Sequence, residues 1–108
     1  MAHPLSLVEM AIRVAISGAR KRLAEQIHQA IESDNQRSPD NVEERDLMVA
    51  QWRSTPEVLE DRFLDSAYHL FLHFLTDRDI RSKDVEYARH QIMEMRQLIF
   101  RLEQPAGD

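Results

Sequence analysis

Between Pro56 and Asp77 the chain runs PEVLEDRFLDSAYHLFLHFLTD, and this stretch leaves least freedom to the rest. It holds four of the seven aromatic residues, Phe63, Tyr68, Phe71 and Phe74, and apolar side chains fill most positions from Phe63 to Leu75. Such density on a helix demands burial on more than one side. The segment therefore has to be the hub against which the other elements pack. Thr55 as N-cap, Pro56 at the first helical position and Glu57 beside the positive end of the helix dipole predict one continuous helix from Pro56 to about Thr76 or Asp77.

Two glycines and four prolines in 108 residues leave few places to turn, so the remaining elements should be few and long. Leu5, Val8, Ile12, Ile16, Ala19, Leu23, Ile27 and Ala30 follow an 11-residue repeat that suits a nearly straight helix from Pro4 to about Glu32. Its first half carries a second stripe of Leu7, Met10, Ala11 and Val14, so this part of the helix has two apolar faces. Gly18 interrupts that stripe, either as a close crossing or kink or as a tolerated glycine. Ser33 to Pro39 reads as a polar loop. Asp40 and Glu43 resemble a capping box opening a second helix, whose face of Val42, Val49 and Trp52 closes one end of the core.

After the hub, the segment from Asp77 to Asp84 breaks the apolar pattern. Ser82 is placed to cap a last helix, along which Val85, Ala88, Ile92, Met95, Ile99 and Leu102 form a heptad seam. Met93 and Phe100 lie seven residues apart and off that seam, beside Arg89, Arg96 and Gln97. The seam is short for a free coiled coil and suits packing inside an antiparallel helical bundle. The expected fold is all-α: about four helices with a long N-terminal one, in a single domain spanning residues 1–108 with frayed ends at 1–3 and 104–108.

Composition bounds the function. A net charge of −5 argues against general affinity for nucleic acid. The absence of cysteine excludes disulfides, a thiolate nucleophile and a cysteine zinc site. The apolar run from Leu5 to Ile16 is broken by Glu9 and Arg13 and falls short of the ~20 residues that cross a bilayer, so a cytoplasmic protein without a membrane segment is expected.

Asp65, His69, His73 and Asp77 recur every four residues on the hub. Each such step advances about 40° around a helix and ~6 Å along it, so all four cannot reach one ion. Only His69 with His73 could chelate as a pair, with a third ligand such as His28, His90 or Glu94. The simpler reading makes the four, with Arg62 and Ser66, the polar stripe of an apolar helix. Glu25-Gln26-Ile27-His28 has the form used by bundle metal oxidases but lacks its partner unit. No acid–base, nucleophilic or phosphate-loop constellation occurs, so the protein is not expected to be an enzyme and no cofactor is implied. The hub helix is too apolar to read DNA as the second helix of a helix-turn-helix.

Surplus apolar surface remains after one core is assigned. Leu7, Met10 and Val14 on the first helix, and Met93, Arg96 and Phe100 on the last, are the candidate partner-binding residues, since Met, aromatic and Arg side chains are enriched at protein contacts. The expectation is a regulatory or adaptor protein, such as an anti-activator or chaperone-like binder, that holds another protein and forms a homodimer. The alternatives are a histidine-ligated metal-binding bundle and a DNA-associated regulator using Arg20-Lys21-Arg22.

Overall fold

The computed structural model describes residues 6–34 and 42–104. Five α-helices and one 3-10 turn follow in order: α1 Leu7–Asp34, α2 Val42–Ser54, the turn Pro56–Leu59, α3 Arg62–Thr76, α4 Arg78–Lys83 and α5 Val85–Glu103. The described residues are all-helical, and no helix among them is long and apolar enough to cross a membrane.

The expected hub is the segment that touches everything. α3 contacts the 3-10 turn and each of the other four helices. Leu64, Ala67, Tyr68, Phe71, Phe74 and Leu75 recur on one broad face of it and are buried. They join Leu23, Ile27 and Ile31 of α1, Met48 of α2, and Met95, Leu98, Ile99 and Leu102 of α5 in one apolar cluster. Each large side chain so enclosed contributes roughly 1.5–3 kcal/mol relative to exposure, which is why this face fixes the arrangement.

The continuous helix from Pro56 does not form. Thr55 makes no capping hydrogen bond; its hydroxyl donates to the Gln51 carbonyl, closing α2 instead. Pro56 starts only the 3-10 turn, and Asp61 then caps α3 by accepting from the amides of Phe63 (2.9 Å) and Leu64 (3.2 Å). An aspartate with two free amides ahead of it outcompetes continuation, because the break costs little when the new helix end is satisfied.

A second break also differs from the sequence expectation. The stretch after Asp77 forms α4, and Asp84, not Ser82, caps α5 by accepting from the Tyr87 amide at 3.1 Å. Ser82 donates to the Asp79 carbonyl inside α4. The heptad seam holds only in its C-terminal part. Val85 is exposed and Ile92 half-buried, whereas Leu98 and Gln91, off the seam, are buried. The buried face of α5 is rotated from the seam because α4 and α1 both pack against this helix.

α1 spans 28 residues, roughly 42 Å at ~1.5 Å per residue, in a molecule 57 Å long and 24 × 18 Å across. Ser6 caps it, accepting from the Glu9 amide at 3.0 Å; Pro4 and Leu5 lie outside the described residues. Ser33 and Asp34, expected in a loop, complete its last turn. Positions 35–41, including the predicted capping residue Asp40, lie outside the described residues, as do the side chains of Val42, Glu43 and Glu44.

α1 lies mainly along α5 in the opposite direction. Arg20 donates to the carbonyls of Arg101 (2.8 Å) and Leu102 (3.3 Å) at the end of α5, while Asp34, at the end of α1, is tied through Arg81 to the first half of α5 at Gln91. The first part of α1 therefore projects past the end of its neighbour. Its core stripe, buried from Ile16 onward, is half-buried at Ile12 and exposed at Val8. Gly18 marks no helix crossing, for a side chain there would meet only Arg22 Nη1 at 3.3 Å.

Candidate functional site

The apolar surface left uncovered falls in two places. On α1, Leu7 is 85% exposed and Val14 72%, with Met10 half-exposed. Helical geometry puts these three on the side of α1 opposite Ile16, Leu23 and Ile27. On α5, Phe100 is 65% exposed and Met93 50%. Both point away from the face formed by Met95, Ile99 and Leu102.

Met93, Arg96 and Phe100 come together as the sequence predicts, in a shallow depression completed by Gln97 and Arg101. Arg89, one turn before Met93, is paired with Glu86 at 3.4 Å through an exposed contact that fixes it weakly. Arg101 also lies over the Phe63 ring, 4.5 Å from its centre. The result is an apolar pair bordered by guanidinium groups. Leu7, Met10 and Val14 take no part in this depression and form a separate patch.

The histidine stripe is distributed among other tasks. Asp65 accepts from the Trp52 indole N–H at 2.9 Å. His69 meets the edge of the same indole, 4.3 Å between centres. Trp52 also stacks on Tyr68, so it closes the core edge as expected. His73, His28 and His90 are exposed. Among the described residues no group of three His, Asp or Glu side chains is gathered for an ion.

The basic cluster Arg20-Lys21-Arg22 is also divided. Lys21 and Arg22 are exposed, but the Arg20 side chain is only 11% exposed: besides capping α5, it lies 3.8 Å from Asp61 and over the Phe63 ring. One residue of the cluster named for a DNA-associated regulator is thus part of the packing between α1, α3 and α5.

The strongest polar feature was not foreseen. Arg81 of α4 is 5% exposed and directs its donors to α1, α3 and α5 at once. It forms a two-pronged pair with Asp34, 2.8 and 3.1 Å, donates to Gln91 Oε1 at 2.7 Å and to the Phe74 carbonyl, and covers the Phe74 ring. Gln91 passes the chain on to Asp77 at 3.0 Å, which also accepts from the Tyr87 hydroxyl at 2.6 Å. Arg78 adds a bond to the Ser33 carbonyl at 3.0 Å.

The Tyr87 hydroxyl holds the Asp77 carboxyl below the usual aspartate range; burial opposes this, and Gln91, His73 and Arg81 add to it. The same bond, with lesser help from desolvation, pushes the Tyr87 phenol above its ordinary value. A sequence signal for this clamp existed only as an apolar pattern broken by charges, DRDIRSKD, which looks like solvated loop.

A cleft of about 340 Å3 opens between α1 and α2 over Phe71 and Leu75 of α3, crossed by a 2.7 Å hydrogen bond from Gln26 to Gln51. No titratable group stands among its described lining residues. Comparison of the chain with known protein families, curated proteins and solved structures finds no match, so the reading of its function rests on its own surfaces.

Proposed function

We propose that this chain is a non-enzymatic regulatory or adaptor module, an antiparallel helical bundle acting in the cytoplasm, which holds a partner protein on the outer face of α5. The observation that carries the reading is the Met93 and Phe100 pair, exposed on the face away from the core and bordered by Arg96 and Arg101. Exposed apolar side chains scattered singly need no explanation, but two on one helix face with guanidinium neighbours match the composition of protein contacts.

A two-fold contact through this face would set arginines against arginines, whereas an acidic apolar segment of a different protein would neutralise them. Leu7, Met10 and Val14 offer such a partner a second contact on the projecting part of α1. Truncating a central anchor of a contact of this kind typically costs about 2 kcal/mol or more.

The test is affinity capture from native cell extract followed by binding of the purified partner. Met93→Glu/Phe100→Glu, checked by circular dichroism for an unchanged fold, is expected to lose a partner that the wild type retains. Equal recovery of the same partner by both proteins would sink this assignment of the binding face.

A further inference from the structure

We infer that the projecting N-terminal part of α1 pairs antiparallel with the same segment of a second copy of this chain. Three observations lead to it. First, the segment is a finished helix that outruns α5: Ser6 caps it, and α5 ends at the level of Arg20, leaving Leu7, Val8, Met10 and Val14 exposed and Ile12 only half-buried. Second, it continues the core stripe. Val8 and Ile12 fall on the same side as Ile16, Ala19 and Leu23, which are buried against the rest of the protein, yet Val8 is 68% exposed. A helix apolar on its inner and outer faces is a buried helix elsewhere in proteins.

Third, the charges are self-complementary. Between Leu7 and Ser17 the only charged residues are Glu9 and Arg13, four apart and on the same flank of the Val8 and Ile12 face. In an antiparallel pair centred near Ala11, like flanks meet, so Glu9 of each copy faces Arg13 of the other, twice by symmetry. A two-fold contact requires one patch to complement itself, and this one does. A parallel pair would instead bring unlike flanks together and leave Glu9 and Arg13 facing the uncharged flank of the partner copy. Pairing on this face leaves Leu7, Met10 and Val14 on the outside, and it is independent of the α5 contact proposed above.

The test is sedimentation equilibrium on the full chain. The wild type is expected at about twice its 12.7 kDa mass. Glu9→Arg and Arg13→Glu should each raise the dimer dissociation constant by roughly tenfold, since two attractive pairs become two repulsive ones. Mixing the two variants should restore the dimer, because the wholly basic flank of the first then faces the wholly acidic flank of the second. That rescue separates pairing from any loss of helix caused by removing an acidic residue from the first turn. A wild type that stays monomeric across micromolar concentrations overturns the inference, as does a mixture that fails to recover. A dimer indifferent to both reversals but dissociated by Met93→Glu/Phe100→Glu overturns it too, and would assign the α5 face to self-association.

Discussion

The two ends of α1 have similar sequences and opposite fates. From Leu23 to Ile31 the apolar residues sit against α3 and α5, and the helix finishes in the Asp34 pair with Arg81. From Leu7 to Val14 the apolar residues are as frequent, but Leu7, Val8, Met10 and Val14 are exposed and Ile12 is only half-buried. The difference is not the periodicity of the core stripe, which runs from Ile12 through Ile16 and Ala19 to Leu23 without a break. It is length: α5 has 19 residues and α1 has 28, so antiparallel packing that ties Asp34 to the first half of α5 must leave the other end of α1 projecting beyond it. An amphipathic pattern therefore reports what a helix could bury, and the partner's length decides what it does bury.

Mutations can break this contrast, beginning with the packed end. Leu23→Ala should cost about 2–5 kcal/mol in urea unfolding, because it empties a fully enclosed site, whereas Val8→Ala at low protein concentration should change stability by no more than about 0.5 kcal/mol. Equal losses at the two positions would mean that the projecting segment is buried in the monomer.

The clamp sets the next scale. Arg81→Met leaves the largely buried Asp34 carboxylate without its closest cation and should cost about 3–5 kcal/mol. Asp34→Leu added to Arg81→Met should recover much of that loss, since an apolar replacement of both partners removes the stranded charge. Failure to recover would assign the cost to the Arg81 bonds with Gln91 and the Phe74 carbonyl instead.

A smaller effect belongs to the cap. Asp61→Ala should lose about 0.5–2 kcal/mol by freeing two amides at the start of α3, with Asp61→Asn retaining most of the stability because its carbonyl still accepts. Chemical denaturation of the two variants side by side checks this.

The last prediction concerns pH. Asp77 is depressed in the folded state, so its contribution is complete above the unfolded aspartate value of about 3.9 and is lost as pH falls through the lower folded value. Tyr87 is raised, so its contribution is complete below the unfolded value of about 10 and is lost as pH rises through the higher folded value. Tyr87→Phe should flatten the stability profile at both extremes by removing the shared hydrogen bond. A profile unchanged by that substitution would show that the bond does not form in solution.

Several of these features were readable in advance. The α3 hub announced itself through Tyr68, Phe71 and Phe74, the long α1 through its 11-residue repeat, and the surplus faces through Leu7, Met10, Val14, Met93 and Phe100. The errors lie where two local signals compete. Thr55-Pro56 and Asp61 both open helices well, and the second start wins where Asp61 satisfies two amides and α3 packs into the core. Ser82 and Asp84 compete in the same way. Arg20 and Arg81 could not be placed by any pattern, because their partners are the α5 end at Arg101 and Leu102 and, for Arg81, Asp34 from α1.

What the sequence determined by itself was therefore helix content, the identity of the central helix and the stock of apolar surface, since these depend on composition and on spacing along one element. The tertiary structure decided which of that surface is hidden, which aspartate opens which helix, and that Arg81, within a tract of charges between α3 and α5, is a buried clamp. The physical reason is that burial and charge pairing depend on neighbours distant in the chain, and their free energies exceed the local preferences they override.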